Sequence, residues 1–311
     1  MELLPSLLVF FLLHVPLACP APSGIRATLT HVDSSGDFTA SELYRRAMRR
    51  SQHRMDALGE MLTVSGVDAR ATVHDGLGEY MMDLAVGTPA LPFSAIMDTG
   101  SNLVWAQCQP CPCTQCFSQP TPIYDPSKSR THTTLPCTSS QCQALPVFSY
   151  SPADCHHNYS YADTTYTNGV LGTETFTLGA GGDPVAVTGV AFGCGTMNKV
   201  GADDSNGLDN STGIVGMARG PLSLVSQLGE ERFSYCFAPF GDDKNTPLIF
   251  GKRERAGCID AFRQRPSPLY YLSLQGITVG AILLPMPNTA FALQSDGTGG
   301  FTIDSGTTFT L

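Results

Sequence analysis

The chain has 311 residues, room for one large domain or two. Hydrophobic residues make up 42% and charged residues only 14%, which excludes a disordered polyelectrolyte. Eighteen Lys and Arg against 27 Asp and Glu leave a formal net charge of −9, so the basic footprint that a nucleic-acid partner needs is missing.

The first segment is Leu7-Leu8-Val9-Phe10-Phe11-Leu12-Leu13, followed by small residues from about Ala18 to Ser23. It is too short to span a bilayer and reads as the apolar stretch of a signal peptide over residues 1–22. No later run reaches spanning length, so no membrane association is expected once the signal is removed. Eleven cysteines, ten of them beyond Cys19, point to an oxidising compartment.

Residues 23–76 differ from the rest. From Ser41 to Met55 the apolar residues Leu43, Ala47 and Met48 share a helical face, and five arginines lie between positions 45 and 54. Such a helix is either simply solvated or part of a removable pro-segment. From Asp75 onward 11 basic residues face 20 acidic ones, so a basic pro-segment could dock on the body by charge complementarity.

After Gly76 the texture is β. Glu79–Val86, Phe93–Met97, Val170–Leu178, Val185–Phe192 and Leu269–Val279 read as strands, bounded mostly by glycine-containing turns. Pro221–Leu228 is the one helical stretch predicted in the body, with proline in its first turn and Gly229 after it. A weak internal repeat runs through this body. Ala95-Ile96-Met97-Asp98-Thr99-Gly100-Ser101 matches Phe301-Thr302-Ile303-Asp304-Ser305-Gly306-Thr307, with the two aspartates 206 positions apart. In both copies an apolar strand delivers an aspartate into a hydroxyl-Gly-hydroxyl turn. The glycine permits a tight turn whose amides approach the carboxylate, and the hydroxyls can lock it in place. One such turn is a weak signal; two on matching strands are a strong one.

The cluster Cys108-x2-Cys111-x-Cys113-x2-Cys116 has steps that suit tetrahedral zinc. In an exported chain disulfides are favoured, and no metal is expected. Asn158-Tyr-Ser and Asn210-Ser-Thr are glycosylation sequons in polar surroundings.

Taken together, Asp98-Thr-Gly-Ser-Asn-Leu-Val-Trp105, Ile303-Asp-Ser-Gly-Thr-Thr308, the cysteine cluster, Phe192-Gly-Cys-Gly195 and Phe233-Ser-Tyr-Cys236 resemble the pepsin-type aspartic proteases, in particular their plant nepenthesin-like branch. Leu29-Thr-His-Val-Asp33 with the Arg-rich helix matches as well, so the resemblance runs from about Leu29 to Leu311. It implies an all-β, bilobal fold, with a complete N-terminal lobe over 77–265 and the start of a C-terminal lobe over 266–311. Asp98 and Asp304 would form the catalytic dyad, supported by Thr99, Gly100, Ser101, Ser305, Gly306 and Thr307. Thr99 and Ser305 would join the lobes beneath it, while Ser101 and Thr307 would bond the carboxylates. Tyr161 would be the tyrosine of a flap closing over substrate, although Ala162 and Thr164 stand where the branch usually has glycines. Ile214-Val215-Gly216 would pack under the first aspartate turn. Cys108, Cys111, Cys113, Cys116, Cys137, Cys142, Cys155 and Cys194 are the disulfide candidates, with connectivity left open.

The function so implied is a secreted acid endopeptidase made as a zymogen, acting on polypeptide substrates. It would need no cofactor and would be monomeric and extracellular, with the vacuole as a second destination. The other class weighed is a protease-like binding protein such as a glycosidase inhibitor, disfavoured by the presence of both aspartates. A two-carboxylate glycosidase does not need hydroxyl-Gly turns after both acids. The second aspartate lies seven residues from Leu311, so the C-terminal lobe reads as truncated, and little activity is expected of the 311-residue chain.

Overall fold

The computed structural model describes residues 25–31, 39, 41–42, 45, 80–112, 115–146, 148–151, 153–161, 164–179, 184–200, 211–230, 232–235, 246–251, 262–263, 268–287, 289–294 and 299–307. The signal stretch, most of the Arg-rich helix, Cys113 and Asn210 fall outside these residues.

Strands dominate. In chain order they are β1 (Ile25–His31), β2 (Tyr80–Val86), β3 (Leu91–Asp98), β4 (Val104–Gln107), β5 (Thr133–Thr134), β6 (Phe148–Ser151), β7 (Asp154–Ser160) and β8 (Tyr166–Leu178). There follow β9 (Val185–Lys199), β10 (Gly213–Gly216), β11 (Phe233–Ser234), β12 (Thr246–Phe250), β13 (Phe262–Arg263) and β14 (Tyr270–Leu272). The last are β15 (Thr278–Val279), β16 (Ile282–Leu283) and β17 (Phe301–Ile303).

The first twelve strands form one sheet, in the order β11-β12-β1-β2-β3-β10-β4-β9-β8-β7-β6, with β5 on β8. A further pairing of β2 with β8 closes the middle of this run on itself. Both faces of β3 are buried from Ala95 onward, which is why Ala95-Ile96-Met97 runs apolar without alternation. Phe93, Ala95 and Met97 enter one core with Phe176, Phe192 and Val215. Ile96 enters a second core with Trp105, Leu103, Leu171 and Ile214, and Tyr159 and Tyr161 pack against it.

β1 comes from the stretch read as pro-segment, yet it is woven into the sheet between β12 and β2. Its sequence alternates Ile25, Ala27 and Leu29 with Arg26, Thr28 and Thr30, and Ala27 and Leu29 are buried. The helix expected after it begins with a reciprocal cap. Thr39 Oγ1 accepts from the Glu42 amide (3.3 Å), and the Glu42 carboxylate accepts from the Thr39 amide (2.9 Å).

Two expected elements are shorter than their sequences suggest. The predicted strand Leu269–Val279 breaks into β14, which pairs with β17, and β15, which pairs with β16; between them the Gln275 side chain donates to the carbonyl and hydroxyl of Ser273. The predicted helix Pro221–Leu228 is a single turn, Leu224–Gln227, capped by Ser223, whose hydroxyl accepts from the Ser226 amide. The residue ahead of it, Gly220, is held to Asn102 instead.

Candidate active site

β3 carries Asp98 out of the core into a turn, and β10 supports that turn from below. β10 runs parallel to β3, with Val215 beside Met97 and Gly216 beside Asp98, and antiparallel to β4 on its other side. The Met217 amide donates to the Asp98 carbonyl (2.7 Å), and the Gly216 amide to that of Leu103 (3.1 Å). A side chain at 216 has no room, since a Cβ there would lie 2.4 Å from the Asn102 carbonyl carbon. This explains Gly at the end of Ile214-Val215-Gly216. Asp98 is wholly buried, and its Oδ1 accepts from the Gly100 amide (3.1 Å).

β17 brings Asp304 to the same place. It pairs with β14, whose Tyr270 donates from its hydroxyl to the Met217 carbonyl (2.7 Å) and lies under the Arg219 guanidinium (4.6 Å). Burial pushes the Tyr270 phenol up to about 12, with Arg219 opposing, so it stays a donor across the working range. Asp304 Oδ1 accepts from the Gly306 amide (3.0 Å), and its Oδ2 from the Thr307 hydroxyl (2.8 Å).

The two turns are clasped. The Thr99 amide donates to Ser305 Oγ (3.0 Å), the Ser305 amide donates to Thr99 Oγ1 (2.8 Å), and Ser305 Oγ donates to the Met97 carbonyl (2.7 Å). This near-symmetric exchange joins segments 206 residues apart. The Asp304 carboxyl consequently sits against Gly100, where a Cβ would meet its oxygens at 2.8 and 2.9 Å. Both carboxyls thus flank one glycine backbone, and any side chain at position 100 would displace Asp304.

Ser101 departs from expectation. It is buried, but its hydroxyl makes no hydrogen bond to Asp98 and faces the Tyr161 phenol. The two motifs thus differ at their last hydroxyl: Thr307 bonds its aspartate and Ser101 does not, and the hairpin expected as a flap meets the first turn at Asn102.

That flap is the β7–β8 hairpin. Trp105 Nε1 donates to the Tyr161 hydroxyl (2.8 Å), and the Tyr161 amide donates to the Thr165 carbonyl (2.8 Å) across the hairpin end. Burial raises the Tyr161 phenol well above its usual value, with neighbouring Tyr159 and the Asp98 charge adding to it. Thr164 occupies the left-handed region at φ 67°, a conformation costly for a β-branched residue. Ala162 lies outside the described residues. Replacing Thr164 by glycine should relieve roughly 1 kcal/mol at the hairpin end, seen as a higher urea midpoint. An unchanged or lower midpoint would show that the turn carries no strain.

Sequence motifs did not single out the base of the flap. The Tyr159 hydroxyl accepts from the Asn102 amide (3.2 Å), its ring lies 5.2 Å from that of Tyr161, and Asn102 Oδ1 accepts from the Gly220 amide (2.6 Å). The available signal was the tyrosine two positions before Tyr161, which strand alternation places on the same face.

Among the described residues three disulfides are formed: Cys108–Cys194, Cys111–Cys116 and Cys142–Cys155. Cys137 is a free thiol, against its place among the disulfide candidates; its Sγ donates to the Asp154 carbonyl (3.0 Å). Cys108, Cys111 and Cys116 of the cluster are thus taken up in sulfur bridges, and no cluster of metal-ligating side chains occurs among the described residues. Asn158 is exposed on β7. His157 stands behind it, buried against Thr167.

A closed β body bearing two clasped Asp-hydroxyl-Gly turns under a tyrosine flap defines the architecture of an aspartic protease. Family profiles described as "Xylanase inhibitor N-terminal" and "Xylanase inhibitor C-terminal" match residues 80–252 and 269–311. The chain is 44% identical to aspartic proteinase nepenthesin-2 of Nepenthes gracilis over 96% of its own length and 67% of that protein. It is 45% identical to nepenthesin-1 of the same plant, over 93% and 65%. The crystal structure of edgp shares the fold, with a TM-score of 0.54 at 15% identity, covering 91% of this chain and 64% of that one. The chain belongs to the pepsin-type aspartic protease family, in its nepenthesin-like plant branch, and spans about two thirds of the length of these relatives.

Proposed function

We propose that this protein is a secreted acid endopeptidase, made as a zymogen and acting as a monomer. The observation that carries the reading is the Thr99–Ser305 clasp, which brings the Asp98 and Asp304 carboxyls to the two sides of Gly100. Two carboxyls held this close do not both ionise readily and share a proton, the arrangement long associated with aspartic proteases. The ionised partner takes a proton from a water as it attacks the peptide carbonyl. The protonated partner donates to the carbonyl oxygen, and no covalent enzyme intermediate forms. The pair titrates as a unit, so neither aspartate owns one role. Tyr161, held by Trp105, would close the site from the flap side and exclude bulk water.

Secretion is supported by the apolar run at residues 7–13 and by the disulfides. The zymogen reading is supported by β1, a strand from ahead of the catalytic body that fills a place inside its sheet. Little activity is expected of the 311 residues alone, so the test uses a chain extended through a whole C-terminal lobe: its cleavage of casein should rise as pH falls toward the carboxylate range near 4 and be blocked by a statine-type inhibitor. Asp98→Asn should abolish it while leaving the fold intact. Cleavage that survives Asp98→Asn would remove the dyad reading.

A second reading has one observation in its favour, the inhibitor description of both matching profiles. A binding protein on this scaffold would form a stoichiometric complex with a glycosidase such as a xylanase and cleave nothing. Co-elution with xylanase, without statine-sensitive proteolysis, would select it.

A further inference from the structure

The β7 strand of the flap has two faces. His157 and Tyr159 point into the lobe, onto Thr167 and the Asn102 amide. Asn158 and Ser160 point to solvent, so the acceptor and the hydroxyl of the Asn158-Tyr-Ser sequon stand together on the outer face. The register continues the row across the sheet: Asn158 pairs with Asn168 on β8, and Asn168 pairs with Met197 on β9. Met197 is 39% exposed, an apolar side chain open to water. Two strand spacings separate it from Asn158, about 10 Å.

We propose that Asn158 carries an N-linked glycan that lies along this row and covers Met197, clothing the outer face of the flap and leaving the cleft face free. Asn158 Nδ2 attacks C1 of a lipid diphosphate-linked oligosaccharide. The N–C bond forms, the sugar–phosphate C–O bond breaks, and the amide proton leaves with the lipid diphosphate. A glycan here is tolerated because it replaces only water around Asn158. From this position it adds bulk to the strand that leads into Tyr161, on the face opposite the rings of Tyr159 and Tyr161. The proposal rests on entry into the secretory pathway, which the experiment supplies independently of the protease reading.

The full chain is expressed in a eukaryotic secretory host with an efficient leader fused ahead of Met1, beside an Asn158→Gln variant. Peptide mapping should find Asn158 glycosylated and converted to aspartate by a glycan-removing amidase. Dilute hydrogen peroxide should then oxidise Met197 about threefold or more slowly in the glycosylated chain than in Asn158→Gln, with Met286, remote in the C-terminal segment, unchanged between them. An unmodified Asn158 in the secreted chain overturns the proposal, and so do equal Met197 oxidation rates with and without the glycan. Neither readout requires catalysis, so a failed protease assay leaves this result standing on its own.

Discussion

Replacing Thr99 by valine is expected to be among the costliest single changes to the site outside the two aspartates. Valine keeps the shape but removes the oxygen that accepts from the buried Ser305 amide. A buried donor left without a partner costs about 1–3 kcal/mol. Ser305→Ala should cost at least as much, since Ser305 Oγ both accepts from the Thr99 amide and donates to the Met97 carbonyl. The two losses should not add, because they dismantle one clasp, and a double-mutant cycle should return a coupling of about 1 kcal/mol or more. The consequence for catalysis is larger than for stability. The clasp and the β14–β17 pairing help hold Asp304 against Gly100. A displacement of about 1 Å between reacting groups is worth on the order of a hundredfold in rate. In the chain extended through a whole C-terminal lobe, acid proteolysis by Thr99→Val should therefore fall about a hundredfold or more, with Thr99→Ser close to the unsubstituted protein. If Thr99→Val keeps full activity with a lowered urea midpoint, the clasp is a structural staple and does not position the dyad.

The flap hairpin and the seat of Ile214-Val215-Gly216 were reached only through the family resemblance, whereas the Asp98 and Asp304 turns and β3 were legible in the sequence itself, and for one reason. Each is fixed by local chemistry: an apolar run that must be buried, a glycine that alone fits, a hydroxyl within reach of a carboxylate. What was not legible depends on distant segments meeting. The spacing of eight cysteines does not say that Cys108 meets Cys194 across the parallel β4–β9 pair, or that Cys137 is left as a thiol. Ser101 looks equivalent to Thr307 in sequence, yet the flap turns it toward Tyr161. The strand character of Ile25–His31 was present as alternation, but the basic helix that follows drew the whole stretch into one reading. Pro221–Leu228 has the residues of a two-turn helix. Its first residues are instead drawn into the loop that Asn102 holds through the Gly220 amide. Local propensity lost there to a tertiary hydrogen bond, as it commonly does in short helices.

A buried histidine beneath the flap sets the second large expectation. His157 is 2% exposed, and its Nε2 lies 3.2 Å from Thr167 Oγ1. Thr167 gives its own proton to Asn198 Oδ1 (2.7 Å), and the Asn198 amide is oriented by donating to the Gly195 carbonyl (2.9 Å). The threonine oxygen must therefore accept from the histidine, which places the imidazole proton on Nε2. Nδ1 is buried without a partner, so a second proton there would be a charge with nothing to receive it. Burial accordingly pushes the group down to about 3, with neighbouring His156 adding to the effect. The sign follows from linkage. Between the ordinary histidine value near 6.5 and about 3, the unfolded chain binds a proton at this residue and the native chain does not. Stability must therefore fall as the pH falls through that window, by up to about 1.4 kcal/mol per pH unit from this residue alone. An acid-working protein would carry this cost across its own working range. Glutamine can offer an amide proton to Thr167 and does not titrate, so His157→Gln should remove the penalty. The variant should lose at least 2 kcal/mol less stability than wild type between pH 6.5 and pH 3.5, measured as urea unfolding free energy at each pH. Its midpoint at pH 7 should be equal to or slightly below wild type, since a well-packed ring is exchanged there for a thinner amide. Parallel stability curves for the two proteins across the window would mean that His157 is protonated in the folded state at acid pH, and the tautomer assigned from Thr167 and Asn198 would be wrong.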